Sequence, residues 1–324
     1  MEPLTATFFD LVRARMPEVE ARMRWNPGDH HPSLDEAIDH LLSSGGKRIR
    51  PTLVLLSGGM LGADPDRTVT LAAAIEMLHT ATLVHDDLID QASVRRGIPT
   101  LNARWTAGAT VLTGDYIFAR AANLAARTGS LRVMESFADT LMTIVNGEIT
   151  QLFDDRSRAS IDDYYDRIYA KTASLFELAT RGAALLAEQD QERIEEIERF
   201  GYTIGVAFQI VDDVLDFTGE ADQVGKPVAN DLRQGILTLP TLYYWESQDD
   251  LNQDLRTLMN GDTLQDEAFE HLVADIRASG AVDRAMEQAR AYVDEGKRHL
   301  ASMPQGPETD ALHDLANYVV DRTI

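Results

Sequence analysis

Along this chain apolar residues recur at spacings of three and four for most of its length. The alternating, β-branched runs that mark strands are hard to find. The pattern predicts a series of helices. Ser33 with Glu36 has the form of a capping box, and the helix after it reaches about Ser44, where Gly45 and Gly46 end it. Pro51 suits the first turn of the next helix. Asp66 is placed to cap a long helix, rich in Ala, Leu and Ile, that continues to about Gln91. Further helical patterns cover 108–127, 131–153, 161–186, 190–217, 238–247, 264–278, 281–301 and 308–321. The least helical interior stretch, 218–237, holds Gly219, Gly225, Pro227 and Gly235; it reads as a functional loop and not as a domain boundary. No low-complexity tract or Pro/Ser linker divides the chain. The expectation is one all-α domain, 1–324, of packed, mostly antiparallel helices.

Composition narrows the function. A chain of 324 residues can bury a large core, and the absence of cysteine excludes disulfides, thiolate zinc sites and cysteine nucleophiles. The 53 Asp+Glu against 30 Lys+Arg give a net charge of -23, which disfavours nucleic acid and anionic membrane surfaces as partners. The longest apolar run, Leu71 to Val84, is interrupted by Glu76 and His79 and falls short of the ~20 residues of a membrane span. The N-terminal stretch alternates acidic and basic residues and lacks a signal-peptide profile, so a soluble, cytoplasmic protein is expected. An anionic substrate would then need a local basic cluster, metal ions, or both.

One acidic motif occurs twice. LVHDDLID carries Asp86, Asp87 and Asp90, and QIVDDVLDF carries Asp212, Asp213 and Asp216. Both set carboxylates at positions 0, 1 and 4, which puts the outer pair one helical turn apart on the same face. A solvated acidic face is the competing reading. The apolar flanks (Leu83, Val84, Leu88 and Ile89; Ile210, Val211, Val214, Leu215 and Phe217) argue for crowded, poorly solvated carboxylates whose charge needs a partner. Oxygen-only ligands favour Mg2+, which binds through one or two carboxylates plus substrate phosphates. Basic residues complete the picture. They are Lys47, Arg48 and Arg50 in GGKRIRP, Arg95 and Arg96 in RRGIPT, Lys171 beside Thr172, and Lys226 in the loop. His79 lies two turns before Asp86 on the same face. Taken singly, each has an ordinary structural explanation, such as charges at a helix C-terminus for Arg95 and Arg96.

In this order the motifs are specific. GGKRIRP at 45–51, LHTATLVHDDLID at 78–90, RRGIPT at 95–100, GDYIFARA at 114–121, NGEITQL at 146–152, KTASLF at 171–176, FQIVDDVLDF at 208–217 and GKPVANDLRQGILTLP at 225–240 resemble those of the trans-isoprenyl diphosphate synthases, the polyprenyl synthetase family, of the medium- and long-chain type. The resemblance implies an all-helical bundle around a deep central cavity, usually in a homodimer. The implied reaction is head-to-tail condensation of an allylic diphosphate with isopentenyl diphosphate to an all-trans product. It implies that Asp86, Asp87, Asp90, Asp212, Asp213 and Asp216 hold a three-ion Mg2+ cluster on the allylic diphosphate. Arg95, Lys171, Thr172, Gln209 and Lys226 would contact that same diphosphate, and Lys47, Arg50, His79 and Arg96 would hold isopentenyl diphosphate.

The residue five before the first aspartate is Ala81, where a small side chain resembles the longer-chain members. Ala81, Met77 and Ala74 share one helical face, and a turn of 5.4 Å is on the order of one isoprene unit. A long-chain product is expected, with geranylgeranyl or farnesyl diphosphate as the alternative. Three departures stand out: Ile236 where relatives often carry lysine, Asn230 where glycine is common, and the unassigned Arg322. The competing functions are a class I terpene synthase, which needs no second diphosphate site, and a non-catalytic partner subunit, which would be expected to lose aspartates.

Overall fold

The long apolar patterns become helices in the computed structural model, which describes residues 8–24, 30–43, 45–95, 97–153, 160–219, 228–248 and 252–322. In chain order these are α1 (Phe8–Val12), α2 (Met16–Met23), α3 (Pro32–Ser43), α4 (Ile49–Leu61) and α5 (Pro65–Ile89). A two-residue antiparallel hairpin, β1 (Val94–Arg95) and β2 (Ile98–Pro99), follows. Then come α6 (Leu101–Arg104), α7 (Ala107–Arg127), α8 (Leu131–Phe153) and α9 (Ile161–Ile168). A π-helical turn (Tyr169–Ala173) leads into α10 (Ser174–Leu186) and α11 (Gln191–Thr218). The chain ends with α12 (Asn230–Arg233), α13 (Leu239–Glu246), α14 (Gln253–Met259), α15 (Asp266–Ala278), α16 (Ala281–Leu300) and α17 (Pro307–Asp321).

These elements form two compact units. The first comprises Met1–Asp139, Leu175–Glu198 and Leu300–Leu315; the second comprises Thr140–Ser174, Arg199–His299 and Ala316–Ile324. In the first unit α5 is the central helix. Every residue from Leu71 to Leu78 is buried, and the helix packs on α2, α4 and α7. Burial of Leu71, Ile75, Met77 and Leu78 contributes about 2 kcal/mol each. In the second unit Ile210, Val214 and Phe217 of α11 share one apolar cluster with Leu239 of α13, Phe269 of α15 and Ala285 of α16.

Two helix starts differ from the sequence expectation, both because a proline opens the helix. Asp64, not Asp66, caps α5: it accepts the Arg67 N–H at 2.9 Å, with Pro65 in the first helical position. Helix α3 begins at Pro32, so Ser33 lies inside it, and Glu36 pairs with Arg104 at 2.5 Å instead of closing a capping box. A capping box does form at Ser160 and Asp163, heading α9. The hairpin is a further difference: Arg95 lies on β1, beyond the end of α5, and is not a helix C-terminal charge. Among the described residues no helix is long and apolar enough to cross a membrane.

Candidate active site

In the first unit the aspartate triplet ends α5. Asp86 is half-buried, Asp87 is buried and Asp90 is the exposed C-cap residue. The Asp87 carboxylate accepts the Arg95 Nε–H at 2.7 Å, so the hairpin carries its arginine back onto the helix that precedes it. The residue before the triplet is seated by the GDYIF motif. His85 lies against Gly114 of α7, where a β-carbon would come within 2.2 Å of its Nε2, and Asp115 stands 3.6 Å from that nitrogen. Only glycine leaves room for the ring there. Upstream on α5, His79 is half-buried and Ala74, Met77 and Ala81 are fully buried. Lys47 is exposed, and the Arg50 guanidinium lies 5.0 Å from the centre of the Phe176 ring of α10.

In the second unit the triplet belongs to α11, and each carboxylate meets a different protein group. Asp212 pairs with Arg322 at 2.6 Å. Asp213 is 3% exposed; it accepts the Tyr164 hydroxyl at 2.7 Å and the Gln209 amide at 2.8 Å. Asp216 accepts the backbone N–H of Asn230 and Asp231 at 3.2 and 3.1 Å and so caps α12. Asn230, which departs from the usual glycine, thus opens a helix, and the left-handed residue is its neighbour Ala229 (φ 53°). The π-helical turn re-aims the KTASLF motif. It sends the Thr172 hydroxyl to Gln209 Oε1 at 2.7 Å and brings Lys171 to Glu148 at 2.9 Å. Gly147, one residue before Glu148, admits Ala170 of that turn, whose β-carbon would be 2.5 Å from an added one. Thr172, Gln209, Asp213 and Tyr164 therefore form one hydrogen-bonded chain.

Burial pushes the Asp213 carboxyl up to about 8, aided by the nearby Asp231 and opposed by the Tyr164 and Gln209 donors. Burial and the same carboxylate push Tyr164 well above its ordinary value, so it remains a neutral donor. Asp213 is expected beside the metal, and its two oxygens also accept from the buried Tyr164 and Gln209 donors. In both triplets the middle aspartate is the buried one and the outer pair is the more accessible.

Among the described residues no group of three acidic or histidine side chains is disposed to hold an ion unaided. The donors still fit Mg2+. They are oxygen-only, and Asp86, Asp90, Asp212 and Asp216 remain partly accessible. Mg2+ itself favours one or two carboxylates completed by water and phosphate over an all-protein cage. Arg96 and Lys226 lie outside the described residues. The sequence reading missed Tyr164, Glu148 and Asp231 and left Arg322 open. Glu148 and Asp231 had a signal there, inside the NGEITQL and GKPVANDLRQGILTLP motifs.

Comparison with known proteins bears on the same residues. The polyprenyl synthetase family matches residues 31–276. The nonaprenyl diphosphate synthase of Mycobacterium tuberculosis is 36% identical over 320 residues, covering 98% of this chain and 95% of its own. Component 2 of the heptaprenyl diphosphate synthase of Bacillus subtilis is 35% identical over 305 residues, covering 94% and 87%. The crystal structure of a polyprenyl synthase from Caulobacter crescentus, complexed with calcium and isoprenyl diphosphate, superposes with a TM-score of 0.88 at 34% identity, covering 97% of each chain. The ordered motifs thus have a common source: the chain belongs to the polyprenyl synthetase family and is a prenyltransferase, a polyprenyl diphosphate synthase.

Proposed function

We propose that both aspartate triplets serve one allylic diphosphate through a cluster of three Mg2+ ions, and that isopentenyl diphosphate is held by Lys47, Arg50, His79 and Arg96. The observation that carries this reading is the repeated pattern in which the outer aspartates are the more accessible while the middle ones, Asp87 and Asp213, are buried against protein donors. Asp86, Asp90, Asp212 and Asp216 are then the metal ligands, and Asp87 and Asp213 act from behind them. Bound there, Mg2+ supplies positive charge to the leaving diphosphate. Arg95, Lys171 and Lys226 add charge-assisted hydrogen bonds to the same group; Arg offers a paired fork and Lys a point charge. Gln209 and Thr172, joined by their own hydrogen bond, would lie near the carbon that ionises. The apolar wall of α5 excludes the water that would quench an allylic cation. Fixing the second substrate's double bond beside that carbon supplies much of the rate.

A long-chain all-trans product is supported by the small, buried Ala81 and by relatives that make nonaprenyl and heptaprenyl diphosphates. The Ala81→Phe variant is expected to shorten the main product to the geranylgeranyl or farnesyl range, read by chromatography of the dephosphorylated lipids. An unchanged product length removes Ala81 from the wall. The underlying experiment is product analysis with isopentenyl diphosphate, Mg2+ and a panel of allylic starters. A terpene synthase would leave labelled isopentenyl diphosphate unincorporated.

A homodimer is supported by α8, on which Met142, Val145, Ile149 and Leu152 are exposed at helical spacing. The double variant Met142→Glu, Ile149→Glu is expected to halve the mass measured by light scattering. A parent protein that is monomeric and turns over only after a second polypeptide is added would favour a two-component enzyme, as the Bacillus subtilis relative's name implies for that protein.

A further inference from the structure

The turn that carries Lys47 and Arg50 is tied down by a buried ion pair to which no step above gives a role. Arg48, between them, has a left-handed backbone (φ 49°, ψ 34°) directly before α4 and no side-chain cap. Residues with a side chain avoid this region, and such a conformation persists only where its surroundings over-determine it. Here the surroundings are explicit. The Arg48 guanidinium donates to Glu76 Oε1 of α5 at 2.8 Å and to Glu20 Oε1 of α2 at 3.3 Å. Its own carbonyl accepts the N–H and the hydroxyl of Thr52 at 3.1 and 2.8 Å, which fixes the first turn of α4. The Arg48 and Glu76 side chains are only 13% and 7% exposed.

Glu76 is the one charged residue in the buried stretch of α5 from Leu71 to Leu78, so its charge depends on this partner. With Arg48 turned inward, Lys47 is left at the surface one residue earlier, and Arg50 lies in the first turn of α4, against Phe176. We propose that Arg48, through Glu76 and Glu20, is a positioning residue that sets Lys47 and Arg50 for the diphosphate of the non-allylic substrate. The inference rests on the assignment of those two residues to isopentenyl diphosphate made above.

The test is the double variant Arg48→Met, Glu76→Leu, which removes both buried charges together. Replacing a buried pair by apolar residues of similar volume commonly preserves folding. KM for isopentenyl diphosphate is expected to rise about tenfold, with KM for the allylic substrate within about twofold of the parent and the melting temperature retained. A general structural role would move both KM values or neither. An isopentenyl diphosphate KM within about twofold of the parent, in the folded double variant, overturns the proposal. Should that variant not fold, Arg48→Lys keeps the buried charge but loses the fork that spans Glu76 and Glu20, and is read by the same split. Lys47→Ala reports on the assignment beneath. If it leaves the isopentenyl diphosphate KM unchanged, assignment and inference fall together. If it raises that KM while the double variant does not, Arg48 alone loses its role.

Discussion

Asp86→Asn is expected to lower kcat by about a thousandfold, on the order of 4 kcal/mol of transition-state stabilisation. Asparagine matches aspartate in shape and keeps a carbonyl oxygen, so α5 and its fully buried neighbours Val84 and Ala81 have no reason to move. What is lost is the charge that holds an ion against the leaving diphosphate. Because that interaction grows as the C–O bond ionises, the loss belongs in kcat and kcat/KM more than in KM for isopentenyl diphosphate. The concentration of Mg2+ giving half-maximal rate should rise as well. Asp212→Asn should behave alike, even though Asp212 also pairs with Arg322. Steady-state rates across a Mg2+ titration decide the matter, and a loss smaller than about tenfold at saturating Mg2+ would remove Asp86 from the metal site.

The second large effect is on stability and concerns Asp213. In the metal-free protein its carboxyl sits at about 8, against an unfolded value near 3.9. Between these limits the folded state holds a proton that the unfolded chain has released, so stability must fall as pH rises. The contribution is complete below about pH 4 and is lost as the pH passes through about 8. Its full size is on the order of 5 kcal/mol. In chelator-treated protein the denaturant midpoint should therefore decline from pH 5 to pH 8.5. Asp213→Asn, whose amide oxygen can still accept from Tyr164 and Gln209, should flatten the decline. Equal slopes for parent and variant would mean that Asp213 is ionised throughout.

The helices were legible because a 3.6-residue repeat is written locally, turn by turn, and α5, α7, α8 and α11 each keep it for five turns or more. Their ends were less so. Pro32 and Pro65 each open a helix in place of the polar residue that looked like the cap, since both signals compete within two or three residues. The hairpin that carries Arg95 has strands of two residues, too short for any alternation to register. The carboxylate triplets were plain in the sequence. Which member is buried was not, because positions 0 and 1 differ by only ~100° and packing partners decide the matter. For Asp213 that partner is Tyr164, 49 residues away, and the Arg322 that reaches Asp212 also binds the Phe208 carbonyl, 114 residues away. Nor does any sequence periodicity announce the π-helical turn at 169–173, which sets Lys171 and Thr172.

The most direct measurement is a crystal structure with Mn2+ and an allylic thiodiphosphate that cannot ionise, read by anomalous scattering from the metal. Ions are expected on the Asp86 and Asp90 carboxylates and on Asp212 and Asp216, all of them sharing oxygens of one diphosphate. A diphosphate bound to one triplet alone, with no metal at the other, would contradict the account.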